Sequence, residues 1–286
     1  MNLMLKKLPS SLPLSLKALA SASRRPSTQV ELPRLRVTLD SLSFDPENLK
    51  AYRDVCGFPM SGGLPIPYPQ VSAIALQMYL LTQPQFPLPL LGLVHLKNRI
   101  TQERELNLDE AFGVQVGITG HRVSDKGLEF ELETLYADAA GKTVWAAVAT
   151  VLYRPKAAAS DKPKKPPLPD AGDGLAEYRS FEAPEGIGRR YGKIAGDNNP
   201  IHLYPLTAKL FGFPRHIAHG MWSMARCCAL LQEGLGQPPH ELTTQFRQPL
   251  FLPARVALRY GEQGEGFGFK LISRDSDKTH LTGTLR

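Results

Sequence analysis

Residues 191–224 read YGKIAGDNNPIHLYPLTAKLFGFPRHIAHGMWSM, and the interpretation of this stretch decides how the rest of the chain is understood. Asp197, Asn198, Asn199 and His202 fall close together around Pro200, between the apolar neighbours Ile194, Ala195, Ile201 and Leu203. His219-Gly220 follows at the head of a new apolar run. A carboxylate and an imidazole five residues apart, near a glycine that opens a helix, have the make-up of a proton-transfer pair beside an oxyanion site. The same residues also suit a helix C-terminus at Gly196, an Asx-type turn and a histidine that merely caps it. Spacing alone leaves both readings open.

Working outward, EYRSFEAPEGIGRRYGKIAG (177–196) reads as a strand, a helix started after a proline, and a terminal glycine. VTLDSLSFDPENLKAYRDVCG (37–57) has the same plan, with Asp45 as N-cap, Pro46 and Glu47 in the first turn, and Gly57 as the stop. Tyr191 precedes Gly196 by five residues, as Tyr52 precedes Gly57. MWSMARCCALLQEGLG then answers VSAIALQMYLLTQ, each expected to form one long buried helix. Three further strand-like correspondences follow. TTQFRQPLFLP answers VHLKNRITQER, and VALRYGEQGEG answers FGVQVGITGHR. FGFKLISRDSDKTHLTGTLR answers EFELETLYADAAGKTVWAAVATV, where Asp138 to Gly141 supply a hairpin turn. The chain is therefore a tandem of one module: a basic N-terminal arm (1–30), a first copy (31–153), a Pro/Lys-rich linker (154–176) and a second copy (177–286).

The copies differ at the informative place. Gly57 lies 13 positions before Gln70, where the first long helix is expected to start, whereas Gly196 lies 24 before Gly220. The longer segment holds the polar constellation. Aligned on the glycine, Asp197 faces Phe58, and no histidine follows there in the first copy. The first copy reads as a non-catalytic partner.

Gly196-Asp197-x-Asn199-Pro200-Ile201-His202, preceded by Tyr191 and followed by Ala218-His219-Gly220-Met221, closely resembles the signature of the MaoC-like, or hydratase 2, dehydratase family. The resemblance covers the last third of the chain directly and the first half through the repeat. It implies an α+β tandem (double) hot-dog fold, each half a long central helix wrapped by an antiparallel sheet. It implies (R)-specific hydration of 2-enoyl thioesters, or dehydration of the 3-hydroxyacyl form, with the first copy's cavity housing the acyl chain. Asp197 and His202 match the family's catalytic pair and Gly220 its oxyanion donor. Asn199 matches an asparagine that fixes the loop, and Asn199, His219 and Arg247 are placed on the substrate side. One position departs: short relatives carry a serine near the carboxylate where this chain has Cys228, and a thiol is the weaker donor.

Composition narrows the field from the other direction. A formal charge of +7 over 286 residues is spread along the chain apart from two Lys/Arg-rich patches, near the N-terminus and in the linker. It is not gathered on a helix or stacked-aromatic sheet as in a nucleic-acid binder. A basic surface suits phosphate-bearing coenzyme A or an acidic acyl-carrier protein. Cys56, Cys227 and Cys228 form no disulfide framework and no zinc spacing, which fits a reducing compartment. Cys227 and Cys228 read as buried small hydrophobes. Asp197, His202, His216 and His219 lack a recognisable metal-ligand spacing, so neither a metal nor another cofactor is expected. No apolar run approaches the roughly 20 residues that span a bilayer. The first 30 residues contain no acid and are expected to be a retained, weakly ordered arm, with a targeting peptide or an amphipathic helix as competing readings. The expected location is cytoplasmic, or the mitochondrial matrix in a eukaryote, and a homodimer is compatible. Two other functions stay in view: a hot-dog thioesterase and a non-enzymatic acyl-thioester binder. Arg247, whose first-copy counterpart is Lys97, is a candidate contact for a coenzyme A phosphate.

Overall fold

The computed structural model describes residues 1–155, 175, 177–276 and 278–286. Of the linker drawn at 154–176, all but Arg154, Pro155 and Leu175 lies outside the described residues.

The chain begins with β1 (Asn2–Leu5) and α1 (Ser11–Ala20). The first module follows: β2 (Arg36–Ser43), α2 (Pro46–Cys56), α3 (Tyr68–Ser72), α4 (Ile74–Leu81), β3 (Val94–Gln102), β4 (Ala111–Ser124), β5 (Gly127–Ala137) and β6 (Thr143–Tyr153). The second contains β7 (Glu177–Ala183), α5 (Ile187–Ala195), α6 (Pro205–Lys209), α7 (Gly220–Leu231), β8 (Glu241–Phe246), β9 (Ala254–Gln263), β10 (Gly266–Ser273) and β11 (Thr279–Leu285). All strands among the described residues join one 11-stranded sheet in the order β1-β2-β4-β5-β6-β3-β8-β11-β10-β9-β7. Read inward from each side, β2-β4-β5-β6-β3 and β7-β9-β10-β11-β8 follow the same plan. The sequence repeat is thus a repeat of topology, and the chain has the double hot-dog fold. The copies meet where β3 pairs antiparallel with β8, from Lys97↔Gln245 to Thr101↔Glu241.

The local signals act as their chemistry dictates. Asp45 caps α2 by accepting hydrogen bonds from the Glu47 and Asn48 amides, at 2.9 and 3.3 Å. Gly57 and Gly196 end α2 and α5 with φ of 75° and 73°, the left-handed conformation that only glycine adopts cheaply. Alternation in β4 buries Phe112, Val114 and Val116 against the helices. From the second copy, α7 buries Trp222, Met224, Ala225, Cys227 and Cys228. Trp222 Nε1 donates to the Val55 carbonyl at 2.9 Å, so α7 also closes over the end of α2 in the first copy. Burying one such side chain contributes about 1.5–3 kcal/mol.

Two expectations need correcting. The first copy's helix is two short helices meeting at Ala73, whose φ −88°, ψ −3° departs from helical geometry. Tyr136 Oη donates at 2.7 Å to the Pro69 carbonyl, which also accepts the Ala73 amide. A side chain entering the i→i−4 ladder is a known cause of such a break. Gln70 bonds Asn98 and Gln77 bonds Thr134, which pins each short helix separately.

The N-terminal arm is ordered rather than loose. β1 adds a parallel strand beside β2, and Leu14, Ala18 and Ser21 are buried. The Ser21 hydroxyl accepts from the Leu90 amide at 2.9 Å, and Arg24 donates to the Phe86 carbonyl at 2.6 Å. Leu14 and Ala18 face inward where α1 packs on α4, while Leu16 and Leu19 stay exposed, and that inward face secures a segment whose composition reads as disordered. No helix among the described residues is long and apolar enough to cross a membrane.

Candidate active site

The segment after Gly196 folds back on α5 because two glycines give it room. A Cβ on Gly192 would stand 2.7 Å from the Asp197 carbonyl oxygen, and one on Gly188 would overlap the His202 carbonyl outright. The glycines are one helical turn apart and face the same way, so the backbones of Asp197 and His202 lie flush on the helix. Between them, Asp197 Oδ1 accepts the Asn199 amide at 3.2 Å and Asn199 Oδ1 accepts the Ile201 amide at 3.3 Å. Pro200–His202 then forms a 3₁₀ turn. The Asx-type turn is therefore present, and it is the device that aims the carboxylate.

His202 and His219 are both buried, and their rings stack at 3.7 Å and 26°. His202 Nδ1 lies 2.8 Å from the Ile217 carbonyl and His219 Nε2 lies 3.1 Å from the Asp197 carbonyl. A carbonyl only accepts, so those nitrogens carry the protons and His202 Nε2 and His219 Nδ1 keep their lone pairs. Asp197 Oδ2 stands 3.7 Å from His219 Nε2. One nitrogen or carboxylate oxygen from each of Asp197, His202 and His219 lies within 4.8 Å of the others. Burial lowers the pKa of both rings, and each is partly restored by the Asp197 carboxylate. That of His219 falls to about 3, its stacked neighbour adding to the effect of burial. Both imidazoles are neutral at pH 7.

This is the one cluster among the described residues with a donor set fit for a metal. Its geometry favours proton transfer. Stacked 3.7 Å apart at 26°, the rings hold their in-plane lone pairs in two separate, nearly parallel planes, whereas one ion needs both nitrogens converging on it at about 2.0–2.1 Å.

The N-terminus of α7 completes the site. His219 is its N-cap and Gly220 its first residue, where amides have no partner within the helix and the dipole favours negative charge. A Cβ on Gly220 would meet the Phe246 ring at 2.9 Å, so an aromatic from β8 rests against the backbone there.

The structure thus brings together Asp197, His202, His219 and, through the helix start, Gly220. Asn199 serves the turn. His219 is spent on holding the loop and stacking on His202, not set out toward solvent. Arg247 lies exposed just past β8, its amide bonded to the His280 carbonyl at 2.8 Å, and enters none of these contacts. His216 bonds the Glu185 carbonyl at 2.9 Å. Cys228 is buried near Tyr52, whose pKa its thiol helps to raise, and burial pushes its own pKa well up. Sequence reasoning missed the Gly188–Gly192 pair, although two glycines four apart in a helix are a legible sign of close backbone approach.

Comparison with known proteins gives a consistent result. The MaoC like domain matches residues 179–284. The 3-hydroxyacyl-thioester dehydratase X of Mycobacterium tuberculosis is 34% identical over 280 residues, which is 97% of this chain and 98% of that protein. The crystal structure of HtdX from the same organism superposes with a TM-score of 0.75 at 31% identity, covering 88% of this chain and 99% of that one. A further M. tuberculosis protein described as having a double hot-dog fold shares the architecture at 11% identity, with a TM-score of 0.55 over 91% of this chain and 97% of the other.

Proposed function

The chain belongs to the MaoC-like dehydratase family of hydro-lyases, and on that premise we propose that it interconverts (R)-3-hydroxyacyl and 2-enoyl thioesters through Asp197, His202 and Gly220. The observation that carries this reading is the neutral His202 with a free Nε2 lone pair, gathered with the Asp197 carboxylate at the start of α7.

In the hydration direction, Asp197 and His202 hold one water between them. As the water oxygen bonds to C3, its proton passes to His202 Nε2 and the electron pair of the double bond moves toward the thioester, leaving enolate charge on the carbonyl oxygen. The Gly220 amide donates to that oxygen; one such donor lowers a barrier by about 3 kcal/mol. The nearby carboxylate steadies the imidazolium, consistent with its upward pull on the His202 pKa. His202 then returns the proton to C2, and the sum is one water added. Asn199 and His219 position Asp197. The first module (31–153) acts as the non-catalytic partner whose interior receives the acyl chain, and the boundary falls in 154–176.

The carrier is coenzyme A or an acyl-carrier protein, and Arg247 is the candidate phosphate contact; Arg247→Ala that leaves the apparent affinity for the thioester unchanged removes it. Three buried free thiols support a reducing compartment, the cytoplasm or a mitochondrial matrix.

One assay tests the reaction. Crotonyl-CoA is incubated with the protein while enone absorbance and free thiol are followed together. Loss of absorbance without thiol release is expected, whereas thiol release would mean hydrolysis and neither would mean binding alone. Asp197→Asn and His202→Ala should each lower turnover by about 10²- to 10⁴-fold with the fold intact. Near-normal turnover in either ends the mechanism.

A further inference from the structure

The first module contributes a polar group that alignment of the two copies does not flag. In β3, Asn98 and Ile100 are buried against the helices, and strict alternation from them would turn Leu96 inward and His95 outward. The ladder between β3 and β6 instead shifts register between His95 and Lys97, and a bulge re-aims the side chain beyond it. The His95 ring consequently lies 4.9 Å from the ring of Phe246, tilted by 56°. Phe246 is the side chain that rests against Gly220. A continuous line of contact therefore runs from the first module through His95 and Phe246 to the start of α7.

His95 Nε2 is buried and has no hydrogen-bond partner among the described residues. Burial lowers the imidazole pKa to about 4, while the Lys97 backbone and the Asp197 carboxylate both draw it back up. The ring is thus neutral at pH 7 and lies within the field of the group that aims the reacting water. A neutral imidazole there acts by hydrogen bonding, not by charge.

We propose that His95 is a substrate-contacting residue of the Asp197–His202 site, supplied by the first module, whose Nε2 lone pair accepts a hydrogen bond from the amide N–H of the carrier arm beside the bound acyl thioester. This rests on the thioester reading above and adds to it a residue with no counterpart in the Gly196–His202 or Ala218–Met221 segments. It also gives the non-catalytic copy a chemical part in the reaction beyond enclosing the acyl chain.

The test uses the full-length chain, with butyryl-CoA as a saturated, unreactive probe followed by titration calorimetry and crotonyl-CoA followed by turnover. His95→Phe keeps the ring contact with Phe246 and removes the hydrogen bond. It should raise the Kd for butyryl-CoA and the KM for crotonyl-CoA by about tenfold, the loss expected for one buried hydrogen bond. The melting temperature should stay the same or rise. His95→Gln, which keeps an amide able to bond, should stay within about threefold of wild type, and His95→Ala replaces His95→Phe if the latter does not fold. The proposal is overturned if His95→Phe binds butyryl-CoA within about twofold of wild type. It is also overturned if both variants lose binding together with a lowered melting temperature, which marks a structural role. Wild-type protein that binds butyryl-CoA without hydrating crotonyl-CoA would refute the hydratase reading alone; wild-type protein that does not bind it would refute the role of His95.

Discussion

Gly192→Ala is a small change that should separate activity from stability. The new methyl carbon would stand 2.7 Å from the Asp197 carbonyl oxygen, whereas carbon and oxygen rest no closer than about 3.3 Å. Either α5 or the loop must give by about 0.6 Å. The loop is the softer partner: it has no regular ladder, and the displaced carbonyl is the one that accepts His219 Nε2–H at 3.1 Å. Movement there shifts the Asp197 carboxylate and the imidazole stacked on His202 at once. A misplacement of 1 Å costs about 10²-fold in rate, so a loss of about 10- to 100-fold in crotonyl-CoA hydration is expected. Stability should change little, because alanine is about 1 kcal/mol better than glycine in a helix interior and offsets much of the ~1–3 kcal/mol of crowding. The measurements are kcat from absorbance and the midpoint of urea unfolding. A variant with at least half the wild-type kcat would refute the idea that the glycine exists to seat the loop, and so would an equal collapse of rate and stability.

Protonation gives a second handle. His202, His219 and His95 have pKa values below the ordinary 6.5, those of His219 and His95 at about 3 and about 4. The unfolded chain takes up these protons first, so stability is full above about pH 6.5 and falls as pH drops below it, by up to about 1.4 kcal/mol per pH unit for each ring. The decline should end near pH 3–4, where the folded rings also protonate; urea midpoints that stay flat between pH 7 and pH 5 would contradict this. The acid limb of the rate profile should likewise lie below pH 6.5, since the proposed mechanism needs neutral His202, whose pKa burial lowers. Arg53 is buried and donates to the carbonyls of Pro59, Ser61, Gly62 and Gly63. Arg53→Met should cost about 3 kcal/mol, lowering the melting temperature by several degrees, and a shift below about 2 °C would show that solvent takes over those carbonyls. Cys56, Cys227 and Cys228 are fully buried, so a thiol reagent should find no reactive thiol in the native protein and three after unfolding.

Much of this architecture was legible from short-range chemistry. Asp45-Pro46 and Gly57 state the start and end of a helix because capping and left-handed backbone depend on the residue itself and its near neighbours. The recurrence of that plan before Gly196 exposed the tandem, and the polar cluster after it resembled one known family signature. Other features are invisible locally. Leu14 and Ala18 show that the basic arm is held by α4, and only packing reveals that partner. The break at Ala73 comes from a hydroxyl on Tyr136, distant in sequence, taking a share of a helix carbonyl.

By itself, then, the sequence determined the elements, their repetition and the residue types available for catalysis, since propensity, capping and periodicity act over a few residues. Only the tertiary structure decided what those residues face. The Asx turn and the Asp197 carboxylate proved to be one arrangement, His219 became the ring stacked on His202, and a bulge in β3 swung His95 toward Phe246 and the start of α7. Those outcomes depend on backbones and rings meeting across long separations along the chain, where a few tenths of an ångström settle which atoms touch.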